Sequence, residues 1–323
     1  MQATQAHWTA ADGKRIFYRM WLPEKTPLAW IIINHGMGEH SKRYEDFAEI
    51  LCHAGFAVTA HDHRGHGETA THPGELGHFA RKNGWEKLWQ DLEGLIDFLA
   101  PKFLSIQKVI FGHSMGSFIA LDYSRRHSQN IQGMILSGSS YVPPIESWGL
   151  ARVAQIERFR QGDTGQSWLI NQLTFKTFNR RFSKARTEFD WLSRDPAQVD
   201  KYLADPLCGT PCSNQSWFDF ANGLKHVFDT LLPSSRALWK HWNKNLPVLC
   251  MRGEVDPLSH GRRFKQLLKF LQRRGTMRLQ KQTYDNGRHE MLNETNKKEV
   301  MNNIVQWIQQ EVLKNTVEVN KTI

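Results

Sequence analysis

The chain has 323 residues, 40% hydrophobic and 11% aromatic with 12 tryptophans, a globular composition that excludes intrinsic disorder. Lys and Arg total 42 against 32 Asp and Glu, and the resulting +10 fits anionic membrane surfaces, phosphorylated substrates or nucleic acid without choosing among them. Met1 to Trp8 has no apolar core of signal-peptide length and no window reaches the roughly 18 apolar residues of a membrane span, so a soluble cytoplasmic protein is expected. The scattered Cys52, Cys208, Cys212 and Cys250 accordingly read as reduced thiols, and the neighbouring Cys208 and Cys212 as small apolar packing residues rather than metal ligands.

Short apolar runs alternate with helical patterns, the signature of a mostly parallel sheet with crossover helices. Arg15 to Trp21 is the first run. Trp30 to Ile33 is a buried strand opening into His35-Gly36-Met37-Gly38-Glu39-His40, either an ordinary glycine turn or one whose Met37 N–H meets a substrate oxygen. Phe56 to Thr59 leads into His61-Asp62-His63-Arg64-Gly65-His66-Gly67. The crowded histidines invite a metal reading, but alternate strand residues point to opposite faces and zinc sites usually recruit a ligand from another element, so none is expected. Trp85, Leu88, Trp89, Leu92, Leu95, Ile96 and Leu99 then fall on one helical stripe.

The apolar run Val109 to Phe111 ends in Gly112-His113-Ser114-Met115-Gly116, ahead of a helix-forming stretch from Ser117 to Arg126. Reversing a strand into a helix within a few residues strains the apex residue, and flanking glycines remove the Cβ atoms that would clash. Ser114 is therefore the candidate nucleophile, and the N–H of Met115 a candidate donor to an oxyanion.

Gly133 to Leu136 is the next strand, and the alternation stops after Tyr141-Val142-Pro143-Pro144 and resumes near Pro247. The block between looks helical and is dense in aromatics, including Trp148, Phe159, Trp168, Phe175, Trp191, Trp217 and Phe220. A cap over the sheet's carboxyl edge would use most of these as its own core and the rest as an apolar wall. Residues 1–142 and 246–323 are thus expected to form the core domain and 143–245 the cap. The cap's Lys176, Arg180, Arg181, Lys184 and Arg186 are the cations freest to meet lipid headgroups, giving an expectation of peripheral membrane contact.

Val248 to Met251 runs into Arg252-Gly253-Glu254-Val255-Asp256-Pro257, and a last strand is expected at Thr276 to Leu279, before the loop Tyr284-Asp285-Asn286-Gly287-Arg288-His289-Glu290. The helix between, with Phe264, Leu267, Leu268 and Leu271 inward, turns a solvated basic face outward. A serine hydroxyl needs a base and a carboxylate that orients it, in this fold class in the order Ser, acid, His. His289 fits the base and Asp256, directly after its strand, the acid, with Glu254 and Asp285 as competitors. No phosphate-binding glycine loop or nucleic-acid module is visible, so nucleic acid is not an expected partner.

Taken together, the elbow, the His35 to His40 turn and the Asp62-His63-Arg64-Gly65-His66-Gly67 loop make the chain resemble the monoacylglycerol lipase and lysophospholipase branch of the α/β-hydrolases, over nearly its full length. Ser41 to Tyr44, Ser193-Arg194-Asp195-Pro196, Asp205-Pro206-Leu207 and His289-Glu290-Met291-Leu292-Asn293-Glu294 also match. The resemblance implies an α/β-hydrolase fold with an inserted helical cap, Ser114 as nucleophile with Asp256 and His289, Met37 and Met115 as oxyanion donors, an acyl-ester lipid substrate, and no metal or organic cofactor. Ser117 and Thr69 depart from that branch, which commonly has glycine and serine there. The competing readings are a peptidase acting on free amino termini and a binding protein that kept the fold without the chemistry.

Overall fold

The structure is a computed structural model and describes residues 1–182 and 185–314. Eight strands form one sheet: β1 (Gln2–Thr9), β2 (Arg15–Leu22), β3 (Ala29–Asn34), β4 (Phe56–His61), β5 (Gln107–His113), β6 (Gly133–Ser137), β7 (Val248–Gly253) and β8 (Leu279–Tyr284), in the order β1-β2-β4-β3-β5-β6-β7-β8. β2 pairs antiparallel with both β1 and β4, and every other neighbouring pair is parallel.

Eleven α-helices among the described residues accompany the sheet: α1 (Glu45–His53), α2 (Gly84–Leu99), α3 (Met115–His127), α4 (Pro144–Gln161), α5 (Trp168–Leu173), α6 (Phe175–Phe178), α7 (Pro196–Ala204), α8 (Asn214–Phe228), α9 (Pro233–Trp239), α10 (Gly261–Arg273) and α11 (Lys297–Trp307). The central strands read as continuous apolar runs because both faces are covered. Successive side chains go to opposite sides: Trp30, Ile32, Ile110, Met134 and Leu136 pack with residues of α2, α3, α8 and α10, whereas Ile31, Ile33, Val109, Phe111 and Ile135 pack with α1 and α11. No helix among the described residues is long and apolar enough to cross a membrane.

Two strands correct the sequence reading. β1 carries no apolar run, because its side chains alternate between exposed and half-buried at the sheet edge. The last strand is Leu279–Tyr284 rather than Thr276–Leu279; its Gln-Lys-Gln-Thr interior is mostly open to solvent at the other edge, so hydrophobicity marks only its start.

Helices α4 to α9 fill the stretch between β6 and β7, where no strand occurs among the described residues. Its aromatics divide three ways. Trp217, Phe220 and Phe228 on α8 join the large cluster against α2 and α3. Trp191 and Tyr202 form a small separate cluster packed by Phe178, Phe182 and Phe189. Trp148, Phe159 and Trp168 serve neither role and face solvent, Phe159 with 94% of its surface. Phe175 contributes backbone only to what is described, and Lys184 of the expected basic run lies outside the described residues, as does the side chain of Lys176.

Candidate active site

Strand register collects the candidate residues on one rim. Asn34 lies opposite Gly112, His113 opposite Ser137, and Gly253 opposite Tyr284, so the segments following β3, β5, β6, β7 and β8 leave the sheet side by side. The neighbours β4 and β5 flank β3 on opposite sides, which makes this the switch point where open α/β sheets hold their ligands.

Ser114 stands at the bend between β5 and α3 with φ 50° and ψ −119°, a left-handed conformation that costs a non-glycine residue about 1–3 kcal/mol and persists only where its surroundings impose it. The surroundings are tight. A Cβ on Gly112 would overlap the Gly116 carbonyl oxygen, and one on Gly116 would overlap the carbonyl oxygen of Asn34. The bend is held by Ser114 N–H donating to Ser137 O at 3.0 Å, and by Ser117 Oγ donating to Ser114 O at 2.6 Å. That second bond gives the serine at 117 a use that a glycine lacks. The N–H of Met115 opens α3 and belongs to the first turn, where no intrahelical carbonyl is in reach.

Asp256 and His289 meet as the spacing after β7 and β8 suggested. His289 Nδ1 lies 3.0 Å from both carboxylate oxygens of Asp256, and both side chains are buried. The carboxylate also accepts from Leu258 N–H at 2.9 Å and from Ser259 Oγ. Burial works against both charges. The imidazolium and three hydrogen bonds nevertheless hold Asp256 below the usual carboxylate range, and Asp256's charge and hydrogen bond lift His289 above an ordinary histidine. The competitor Glu254 instead accepts from Asn286 N–H at 3.0 Å on the surface.

The free edge of the imidazole, Nε2, is buried and carries no hydrogen bond in the structure. Its ring stands 4.7 Å, centroid to centroid, from that of His113, the residue before Ser114, and 5.0 Å from Trp191. A Cβ added to Gly138 would come 2.9 Å from His289 Cε1 and 3.2 Å from His113 Cε1, so that glycine leaves room for both rings. Across the bend, a Cβ on Gly36 would lie 3.3 Å from Ser114 Cβ, which brings the turn carrying Met37 beside the serine. A cavity of about 240 Å³ opens at Met37 and Gly38, walled by Phe189 and Tyr202.

The His61 to Gly67 loop supports that turn from behind. Asp62 accepts the N–H groups of Ser41 at 2.7 Å and Glu68 at 2.8 Å, and His63 N–H donates to His35 Nε2 at 2.9 Å. Thr69 Oγ1, the other departure, accepts from Phe17 N–H at 2.9 Å and donates to Asp62 O at 2.7 Å. The expected divergence of these histidines is corrected in part. β4 ends at His61 and the chain bends there, so the rings of His61 and His63 lie 4.6 Å apart and those of His35 and His63 4.2 Å apart. Burial lowers the pKa of each, that of His61 to about 4, keeping them neutral at pH 7. Sequence reasoning missed Glu39, Arg43, Glu290, Ser259 and Trp191 around the site. Only the four-residue spacing of Glu39 and Arg43 signalled an interaction.

A strained serine at a strand-to-helix bend, a buried Asp–His pair on the same rim and a helical insertion after β6 define a class: the chain is a serine ester hydrolase with the α/β-hydrolase fold. Residues 25–296 match the Hydrolase_4 family, described as serine aminopeptidase, S33, and the chain belongs to that family. It is 27% identical over 253 residues to monoglyceride lipase of Rattus norvegicus, covering 78% of this chain and 73% of the relative. It is 26% identical over 309 residues to monoacylglycerol lipase of Mycolicibacterium smegmatis, covering 93% and 95%. Among solved structures it resembles a thermostable carboxyl esterase from Bacillus coagulans in complex with glycerol, with TM-score 0.86, 25% identity, and coverage of 97% of this chain and 99% of the other.

Proposed function

We propose that the protein hydrolyses monoacyl lipids, monoacylglycerols or lysophospholipids, with Ser114, His289 and Asp256 as its triad and 143–245 as a cap over the site. The observation that carries the reading is the buried His289–Asp256 pair, whose Nε2 carries no hydrogen bond and whose ring lies against that of His113, the residue before Ser114 in its left-handed bend. In this mechanism His289 Nε2 takes the Ser114 proton as Oγ bonds to the ester carbonyl carbon. The oxyanion is received by the N–H groups of Met37 and Met115. Collapse expels the alcohol, which takes the proton from His289, and leaves an acyl-serine; water, deprotonated by the same imidazole, then releases the fatty acid and restores the serine. Asp256 holds the tautomer with the proton on Nδ1 and stabilises the imidazolium. Because His289 must be neutral to accept a proton and its pKa is raised, kcat/KM falls as pH drops through a value above that of an ordinary histidine.

Purified protein is expected to release fatty acid from a monoacylglycerol or from lysophosphatidylcholine much faster than it cleaves an aminoacyl anilide. The opposite preference moves the assignment to the aminopeptidase reading that the family's description carries, and no turnover of any ester removes it. The cap also supports membrane contact: Ile145, Trp148, Ile156 and Phe159 on α4 and Trp168 on α5 are exposed, as are the cations Arg180 and Arg181. The protein is expected to co-sediment with vesicles containing anionic phospholipid, and a Phe159→Glu/Trp168→Glu variant to lose at least about half of that binding. Equal sedimentation of both proteins rules out this face as the contact.

A further inference from the structure

Glu39, Arg43 and Glu290 form a buried ionic cluster that the chemistry above leaves unused. Glu39 Oε1 accepts the N–H of Gly36 at 2.5 Å and the hydroxyl of Tyr44 at 2.8 Å, and its Oε2 accepts from Arg43 Nη1 at 2.7 Å. The same guanidinium donates through Nη1 and Nη2 to both oxygens of Glu290, each at 2.6 Å. It stands 4.9 Å over the ring of Tyr202, whose hydroxyl donates to Gly38 O at 2.8 Å. Gly36 and Gly38 flank Met37, and Glu290 directly follows His289. One side chain therefore reaches the turn holding an oxyanion donor, the loop holding the base, and a helix of the insertion.

Stability does not explain this arrangement. Desolvating two carboxylates and a guanidinium cancels most of their mutual attraction, and apolar residues of similar volume serve a core as well or better. What the cluster supplies is direction, because a planar guanidinium that donates from Nη1 to both carboxylates, and from Nη2 to Glu290 as well, fixes the carboxylates relative to each other.

We propose that Arg43 is a positioning residue for ester hydrolysis, clamping the oxyanion turn through Glu39 to the histidine loop through Glu290, so that the Met37 N–H and the His289 ring keep one spatial relation. The inference rests on the Ser114 mechanism proposed above. Displacements of about 1 Å in such a relation are enough to cost on the order of 100-fold in rate.

Two variants test it. Arg43→Lys keeps the charge and loses the fork. Its kcat, per active site titrated with a fluorophosphonate, is expected to fall about 10- to 100-fold with KM changed less than about 3-fold, and with the acidic limb of the pH profile unmoved. Glu290→Gln keeps the shape and removes one carboxylate from the groups facing His289, which are Asp256, His113, Glu290 and Glu39. Glu290 raises the His289 pKa, so this variant is expected to move the acidic limb to lower pH, which simple loosening of the fold does not do. Glu290→Gln also breaks the fork and is expected to lose kcat as Arg43→Lys does, so a wild-type kcat per titrated site in either variant overturns the clamp. Should Arg43→Lys fail to accumulate, Glu290→Gln decides alone. If these variants match wild type while Ser114→Ala is inactive, only the clamp falls; if Ser114→Ala is itself active, the underlying mechanism falls.

Discussion

Ser114→Ala is expected to lower kcat for monoacyl-ester hydrolysis on the order of 10⁴- to 10⁶-fold while changing stability by less than about 1 kcal/mol. The two effects separate because the substitution deletes one oxygen and leaves the backbone as it was. The left-handed bend is imposed by the close approach of Gly112 and Gly116 to neighbouring carbonyls and by bonds from Ser114 N–H and Ser117 Oγ, none of which uses the Ser114 side chain. His289→Ala should cost about as much, and the double variant little more, since the proposed mechanism makes nucleophile and base act as one unit. Asp256→Asn should cost about 10⁴-fold, because an amide facing Nδ1 favours the wrong tautomer. Steady-state kinetics on each variant, with intact mass after fluorophosphonate treatment, checks the set. Retained activity in Ser114→Ala, or label on another residue, eliminates Ser114 as the nucleophile.

Gly116→Ala is expected to destabilise the protein by about 3 kcal/mol or more, or to prevent its accumulation in folded form. The added methyl would overlap Asn34 O, with His35 O at 2.5 Å, so α3 must move away from the end of β3 or the turn carrying Met37 must shift. Neither neighbour is a flexible side chain, which leaves no inexpensive accommodation. Gly149→Ala provides the comparison. Gly149 lies within α4 with nothing within 4 Å of where its Cβ would be, so alanine there should raise stability by about 0.5–1 kcal/mol. Urea denaturation of the two variants measures both signs. Equal effects would mean that helix propensity, and not the contact with β3, governs position 116.

These glycines show where sequence stops. Both lie in helices, and local propensity treats them alike; only the approach of a strand remote in sequence makes one indispensable. Ile31 to Ile33 and Val109 to Phe111 were legible as strands because the middle of a doubly covered sheet demands unbroken apolar runs. β1 and most of β8 were not, because an edge strand is held largely by backbone hydrogen bonds, which any side chain permits. The insertion was legible as helical and aromatic, but not that Trp217 and Phe220 would join the main core while Phe159 stands in solvent.

The same division runs through the site. The places of Ser114, Asp256 and His289 after β5, β7 and β8 were legible because each follows a strand in the chain, and the sheet's parallel register carries the ends of its strands to one rim. Arg43 gave no comparable signal for Glu290, far along the chain, nor Trp191 for the face of His289. Sequence by itself determined the alternating sheet, the bend and the order of its chemical groups, because these follow from local periodicity and from the few residues that tight turns accept. Only the tertiary structure decided which buried charges pair, which ring lies against His289 and which glycines cannot change. Those depend on distances between segments that the chain brings together only when the sheet is complete.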